Sequence, residues 1–323
     1  MKSRLIMLMS LAVAALSLIL AAGRVNFVVV NRPPVHATLT PSLGSYLGVY
    51  EPGSPPGSPP SYQSIAAFGA AVGRQPNLAE IFSGWAAPFD TGFAETLHRH
   101  GVIPLVQIDP TDANIAAIAA GDYDDYLRTY ADAVADYRHP VVIGFGHEMN
   151  ASWYSWGYRH VKPSTFVAAW KHIVQVFRSE GADNVTWLWT IQADEPGTGP
   201  IGDWWPGPAY VSWVGIDGFY YRPSDSFSNV FGPTIQQVQA LTSKPVLLAE
   251  TAVGPAAGQP VEIQDLFKGV STYKTLGLVW FDVDQHGGVY HQDWRIENSQ
   301  EAEYSFRLGA KDDLASTLAS GGG

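Results

Sequence analysis

The 323-residue sequence contains no cysteine, which removes disulfides, thiolate metal sites, cysteine nucleophiles and lipoprotein anchoring in one step. Positive charge is also scarce: 19 Lys and Arg stand against 30 Asp and Glu, for a formal net charge of -11. Nucleic-acid binding needs clustered Lys and Arg against the phosphate backbone, so a DNA or RNA partner is excluded. No G-x-S-x-G occurs, which leaves a serine hydrolase without its nucleophile turn. The segment HEMNA, residues 147–151, begins like a zinc-protease helix but carries Ala151 where the second His is required. Aromatic residues, by contrast, are plentiful at 11 Trp, 15 Tyr and 14 Phe. Indole faces are common platforms for flat apolar ligand surfaces.

The chain has room for one large barrel-type domain. Lys2 and Arg4 precede an apolar run from Leu5 to Ala22, so residues 1–37 are expected to be a signal peptide or an uncleaved N-terminal membrane anchor. Either one exports the remainder of the chain. The expected location is extracellular or the outer face of the cytoplasmic membrane, with a membrane tether in the second case. The low-complexity stretch EPGSPPGSPPS, residues 51–61, reads as a loop leaving a first strand rather than as a linker.

Apolar runs then alternate with helical patterns. Strands are expected at 46–50, 79–83, 102–108, 140–146, 185–190, 211–216, 244–249 and 277–281. Most are continuous apolar runs, as strands buried on both faces should be. Helices are expected at 62–73, 91–100, 121–137, 163–180, 233–242, 261–275 and 299–308, with Ser164 able to cap the fourth. This alternation predicts an α/β fold, a (β/α)8 TIM barrel forming a single catalytic domain over 38–310, followed by a tail at 311–323.

In such barrels the chemistry sits at the carboxyl ends of the strands. Strand four, PVVIGFG, ends at His147, Glu148 and Asn150, and strand seven, KPVLLA, ends at Glu250. Two glutamates at two strand ends would face each other across one mouth. Glycosidic bond cleavage needs such a pair, one carboxyl protonating the leaving oxygen while the other attacks or activates water, and Glu148 would be the general acid. Taken singly, a glutamate after an apolar strand is more often a helix N-terminal residue or a loop ion pair, and it is the two together, with the aromatics, that point to catalysis. Trp153, Tyr154 and Trp156 follow Glu148 closely, and Trp280 lies near the end of strand eight. Trp153, Trp156 and Trp280 are candidates to contact a sugar's C–H face, while Gln192, Asp217, Tyr220 and Tyr221 are candidates for its hydroxyls. Trp187 and Trp213, inside strands, read as core. The loop 281–293, with Asp282, Asp284, His286, His291 and Asp293, could offer ligands to Ca²⁺, although polar residues there are more often solvated or substrate-facing.

Several segments together resemble glycoside hydrolase family 26, the β-mannanase and β-1,3-1,4-glucanase family. They are GDYDDYLRTYADAV (121–134), PVVIGFGHEMNASWYSWG (140–157), WKHIVQVFRSEGADNVTWLWT (170–190), DWWPGPAYVSWVGIDGFYY (203–221), KPVLLAET (244–251) and FDVDQHGGVYHQDWRI (281–296), in the family's order. The resemblance implies a retaining mechanism with Glu148 as acid/base and Glu250 as nucleophile, His147 positioning substrate or catalytic groups, and Trp280 stacking on the sugar. It implies that Glu148 has a raised pKa while Glu250 stays ionised. The chain departs from many relatives at Gly144, where they have Arg, at Ala151 (Gly), near Gln192 (Asn), at Ser212 (Asp) and at Phe219 (Tyr). A Tyr hydroxyl at the last position would hydrogen-bond the nucleophile.

The expectation is therefore a monomeric endo-β-glycanase without metal or cofactor, acting on a polysaccharide, either β-1,4-mannan or mixed-linked β-glucan. Two alternatives stay open: a cell-envelope or exopolysaccharide substrate, and a non-catalytic carbohydrate-binding barrel.

Overall fold

The computed structural model describes residues 39–53, 60–254, 257–284 and 292–319, the side chains of 312–319 excepted. The strands β1 (Tyr46–Tyr50), β2 (Leu78–Gly84), β3 (Ile103–Asp109), β4 (Val141–Phe145), β5 (Val185–Gln192), β6 (Trp213–Asp217), β7 (Val246–Thr251) and β8 (Gly277–Phe281) close into one barrel in sequence order. All neighbours pair in parallel, β1 with β8 included. The (β/α)8 expectation holds, because parallel strands need crossovers and these place helices over the outer face.

Two apolar layers result. Tyr46, Leu78, Leu105, Val142, Leu188, Trp213, Leu247, Ala249 and Val279 fill the barrel's interior at its floor, with the Tyr46 and Trp213 rings 4.9 Å apart. Residues of opposite parity, such as Leu47, Val106, Ile143, Ile216 and Leu248, face outward against the helices. Each strand is apolar on both faces for that reason.

The helices are α1 (Tyr62–Val72), α2 (Thr91–Arg99), α3 (Ile115–Ala120), α4 (Asp124–Tyr137), α5 (Pro163–Ser179), α6 (Phe227–Val230), α7 (Gly232–Leu241), α8 (Gln259–Thr272) and α9 (Gln300–Ala319). The short α3 and α6 were not expected. The side chain of Asn114 caps α3 through the amides of Ala116 and Ala117, and Gly121 ends it before α4 begins. Ser164 is not the cap of α5: the helix begins one residue earlier at Pro163, whose missing N–H suits a first turn. Residues expected as a tail continue α9 to Ala319, while 320–323 lie outside the described residues. Residues 1–37 and the heart of the 51–61 loop also lie outside them. Among the described residues no helix is long and apolar enough to cross a membrane.

Candidate active site

The mouth is assembled from strand ends. After β4 the chain turns sharply, with Gly146 at φ 54° and Glu148 at φ 52°. A left-handed glutamate is strained by roughly 1–2 kcal/mol, and it is held by two backbone hydrogen bonds: Glu148 N–H to Thr190 C=O at 3.0 Å and Ala151 N–H to Glu148 C=O at 2.8 Å. The turn is anchored further by Asn150, whose amide donates to Gln192 C=O at 2.9 Å and whose carbonyl oxygen accepts Gln192 N–H at 2.8 Å. Asn150 therefore fastens the turn to the end of β5, with both ends of its side chain occupied.

Glu250 reaches the mouth by a different device. Leu247 and Ala249 point into the barrel, so strict alternation would turn Glu250 outward. The register prevents this: Leu248 pairs with Leu278 but Thr251 with Trp280, and Glu250 rather than Ala249 lies opposite Asp217. The extra residue is a β-bulge, which re-aims the following side chain.

Glu148, Asp217 and Glu250 are all buried, and one carboxylate oxygen from each lies within 4.8 Å of the others. Asp109 and Glu80 border this group, neither of them singled out by the sequence. His147 joins it through Nδ1, 2.9 Å from Asp109 Oδ1, and its Nε2 lies 3.1 Å from the Tyr154 hydroxyl. Glu80 Oε1 accepts from Gln107, which also donates to Thr190 Oγ1. At the position where many relatives carry arginine, the Gln107 side chain takes the space beside Gly144, where an added Cβ would meet Gln107 Oε1 at 2.0 Å. A neutral amide thus stands beneath the acidic cluster, and among the described residues no Lys or Arg pairs with it.

Ionisation follows from this. Burial lifts the Glu148 carboxyl above the usual range, against the charge of His147 and the Trp153 N–H that favour its anion. Burial lifts Glu250 well above it, reinforced by the negative charges of Asp217, Glu80 and Glu148. Asp217 is raised for the same reasons, and its carboxyl is close enough to Glu250 to share a proton. Burial alone would depress His147, but the Asp109 hydrogen bond and charge, with Glu148, turn the net shift upward. For Glu250 the direction runs against the expectation that it stays ionised, because buried carboxyls without a cation repel one another and raise each other's pKa.

The remaining predicted residues divide. Trp153 is 45% exposed and donates its Nε1–H to Glu148 Oε2 at 2.5 Å, leaving an indole face open beside the acid. Gln192 turns its amide to Glu195 Oε1 at 2.6 Å. Trp156 does not face the mouth: its ring stacks on Tyr154 at 4.3 Å and its N–H binds His147 C=O, behind the histidine. Tyr220 points the other way, donating to Asp265 on α8. Trp280 is fully buried outside the barrel against Phe306 of α9, with its N–H on Asp282 Oδ1 and Trp294 C=O. Strand parity explains the last two, because Val279 and Phe281 take the inner face of β8 and Asp217 and Phe219 that of β6. Phe281 instead stacks on Tyr50 at the mouth, 5.0 Å between centroids. Counting every second residue from the floor upward would have found both. In the 281–293 loop, Asp284 and Asp293 pair with Arg295, Asp282 accepts the Trp280 and Ile296 N–H groups, and residues 285–291 lie outside the described residues.

Against known proteins, the profile of glycosyl hydrolase family 26 matches residues 107–308. Endoglucanase H of Acetivibrio thermocellus is 30% identical over 284 residues, covering 82% of this chain and 31% of the relative. Beta-1,3-xylanase TXYA of a Vibrio species is 28% identical over 138 residues, 39% of this chain and 28% of the relative. The chain thus spans about a third or less of these relatives' length. A Cellulomonas fimi endo-β-1,4-mannanase superposes with a TM-score of 0.66 at 16% identity, over 84% of this chain and 72% of that one, a likeness of fold.

Proposed function

The chain belongs to glycosyl hydrolase family 26, and on that premise we propose that it is a retaining endo-β-glycanase with Glu148 as acid/base and Glu250 as nucleophile. The observation that carries the reading is that one carboxyl oxygen of Glu148 lies within 4.8 Å of one of Glu250. Retaining enzymes hold their carboxyls about 5–5.5 Å apart, whereas inverting enzymes need about 6.5–9.5 Å to admit water. In the first step Glu148 gives its proton to the glycosidic oxygen as Glu250 attacks the anomeric carbon, breaking the C–O bond and forming a glycosyl ester. In the second, the Glu148 carboxylate takes a proton from water as that water attacks the same carbon and releases Glu250. The raised pKa of Glu148 suits the acid role, and Glu250, which is raised as well, attacks as the carboxylate with the proton it can share left on Asp217.

The substrate classes are mixed-linked β-glucan and β-1,4-mannan. The relative that is similar over most of this chain carries the name endoglucanase, which favours glucan, because the mannanase structures are similar in fold at low identity. Trp153 supplies the open aromatic face for a sugar next to the acid. The test is reducing-end release from barley β-glucan, glucomannan, galactomannan and xylan by the chain and by its Glu250→Ala variant. Release lost in the variant, together with covalent labelling of Glu250 by a matching 2-deoxy-2-fluoro glycosyl reagent, is the expected result. Labelling of another residue would overturn the assignment.

A further inference from the structure

A buried carboxylate needs a hydrogen-bond donor to hold its charge and its aim. Glu250 Oε1 has none among the described residues, and neither has either oxygen of Asp217. Three donors of the mouth are engaged elsewhere: the Trp153 N–H by Glu148, the Gln107 amide by Glu80 and Thr190, and the Tyr154 hydroxyl by His147. Phe219, next after Asp217 on the inner face of β6, has no hydroxyl to offer.

The two carboxyls without partners belong together. Asp217 on β6 lies opposite Glu250 on β7 in the register. Ala193 N–H donates to Asp217 C=O at 2.8 Å and Gly218 N–H to Glu250 C=O at 3.0 Å, so the backbone is fixed on both sides of the pair. The carboxyls are left within hydrogen-bond reach of each other. Two carboxylates repel there, whereas a carboxylic acid beside a carboxylate forms a short charge-assisted O–H···O bond. Exposure separates their roles. Glu148 and Glu250 are 7% and 6% exposed and Asp217 is 0% exposed, so a sugar can reach the glutamates but not the aspartate.

We propose that Asp217 is a positioning residue that stays protonated and gives the Glu250 carboxylate its hydrogen-bond donor, rather than a partner for a sugar hydroxyl. The proton is not transferred: it bonds the Glu250 oxygen that does not attack, remains on Asp217 while the glycosyl ester forms, and is still there when water releases Glu250. The surroundings agree. Glu80 of β2 and Glu148 after β4 face Asp217 beside Glu250, and burial and then their charges raise its carboxyl well above the usual range. Glu250 is raised as well; the proton falls to Asp217 because Glu250, on the sugar's side, must attack as the anion. The inference rests on Glu250 being the nucleophile.

The experiment compares the full chain with Asp217→Leu and Asp217→Asn on the polymer it degrades best, with thermal unfolding as a folding check. Asp217→Leu, which removes the donor, should lower kcat by about 100-fold with KM within about twofold. A carboxylate that loses a donor is easier to protonate, so the acidic limb of kcat/KM should rise by about one pH unit. Asp217→Asn, neutral and still a donor, should recover at least about tenfold of the lost rate and return the limb to its wild-type position. If Asp217 is instead the ionised member of the pair, removing its charge eases ionisation of Glu250, and the Asp217→Asn limb falls to lower pH. That fall overturns the proposal, as does a rate that Asp217→Asn fails to recover or a Leu variant with an unmoved limb. The Asn limb decides the matter even if Asp217→Leu does not fold. Failure of the nucleophile assignment looks different, since Glu250→Ala would then retain activity whatever the Asp217 variants do.

Discussion

Residues of one chemical type do opposite jobs here according to the side of a strand they occupy. Trp153 and Trp280 both lie near strand ends, yet one presents an open face beside Glu148 and the other is fully enclosed under α9. Trp280→Phe should therefore lower stability by about 2–3 kcal/mol, from lost packing and an unmet Trp294 carbonyl, and leave KM unchanged. Denaturant unfolding beside steady-state kinetics decides this; a changed KM at full stability would put the indole on the sugar after all. For Glu148, the acid role predicts that Glu148→Ala slows polymers by at least about 100-fold, and slows aryl glycosides with good leaving groups far less, because those need little protonation. Similar losses on both substrates would remove Glu148 from that role.

At the scale of elements, the ends of β1 and β8 are joined by a second carboxyl pair. Glu51 and Asp282 share a hydrogen bond that requires a proton. Asp282 also accepts the N–H groups of Trp280 and Ile296, pinning the segment that leads to α9. Burial, then the charges of Glu51 and Glu297, push Asp282 up to about 9, and burial pushes Glu51 up to about 7. Carboxyls whose folded pKa is raised contribute stability that is whole below their unfolded values, near 4, and that drains away as pH climbs through the folded values. Tm should accordingly fall between pH 5 and 9, by about 2–4 °C for each kcal/mol lost. Asp282→Asn, which keeps the acceptor oxygen but cannot ionise, should flatten the decline. A Tm that is level across that range, or a slope indifferent to the substitution, would mean that the pair does not titrate with unfolding.

The whole molecule is acidic, with a formal net charge of -11, and its mouth gathers the carboxyls of Glu80, Asp109, Glu148, Asp217 and Glu250 without a paired Lys or Arg among the described residues, so that those which ionise make the field there negative. A neutral polymer meets no penalty there, whereas an anionic one is repelled over about 10 Å at 0.1 M salt. A carboxymethylated form of the preferred polymer should be cleaved at least about 10-fold more slowly at low salt, with part of the rate recovered on adding salt. Equal rates on the native and carboxymethylated polymers would show that the cluster's field does not reach the binding surface.

The alternation of apolar runs and helical patterns determined the barrel by itself, because strands buried on both faces must be continuously apolar and parallel strands must be joined by crossovers. It placed all eight strands and put Glu148 and Glu250 at strand ends. Side-chain direction was only half legible. A one-residue change of parity moves a side chain from sugar to core, which is why Trp280 and Tyr220 were misassigned while Tyr50 and Phe281 were overlooked. The bulge that turns Glu250 inward exists only in the pairing of β7 with its two neighbours. No local pattern encodes it, since register is a relation between strands that barrel closure settles. The same holds for the acidic cluster, whose raised pKa values come from residues on different strands meeting in one buried space that only the tertiary structure creates.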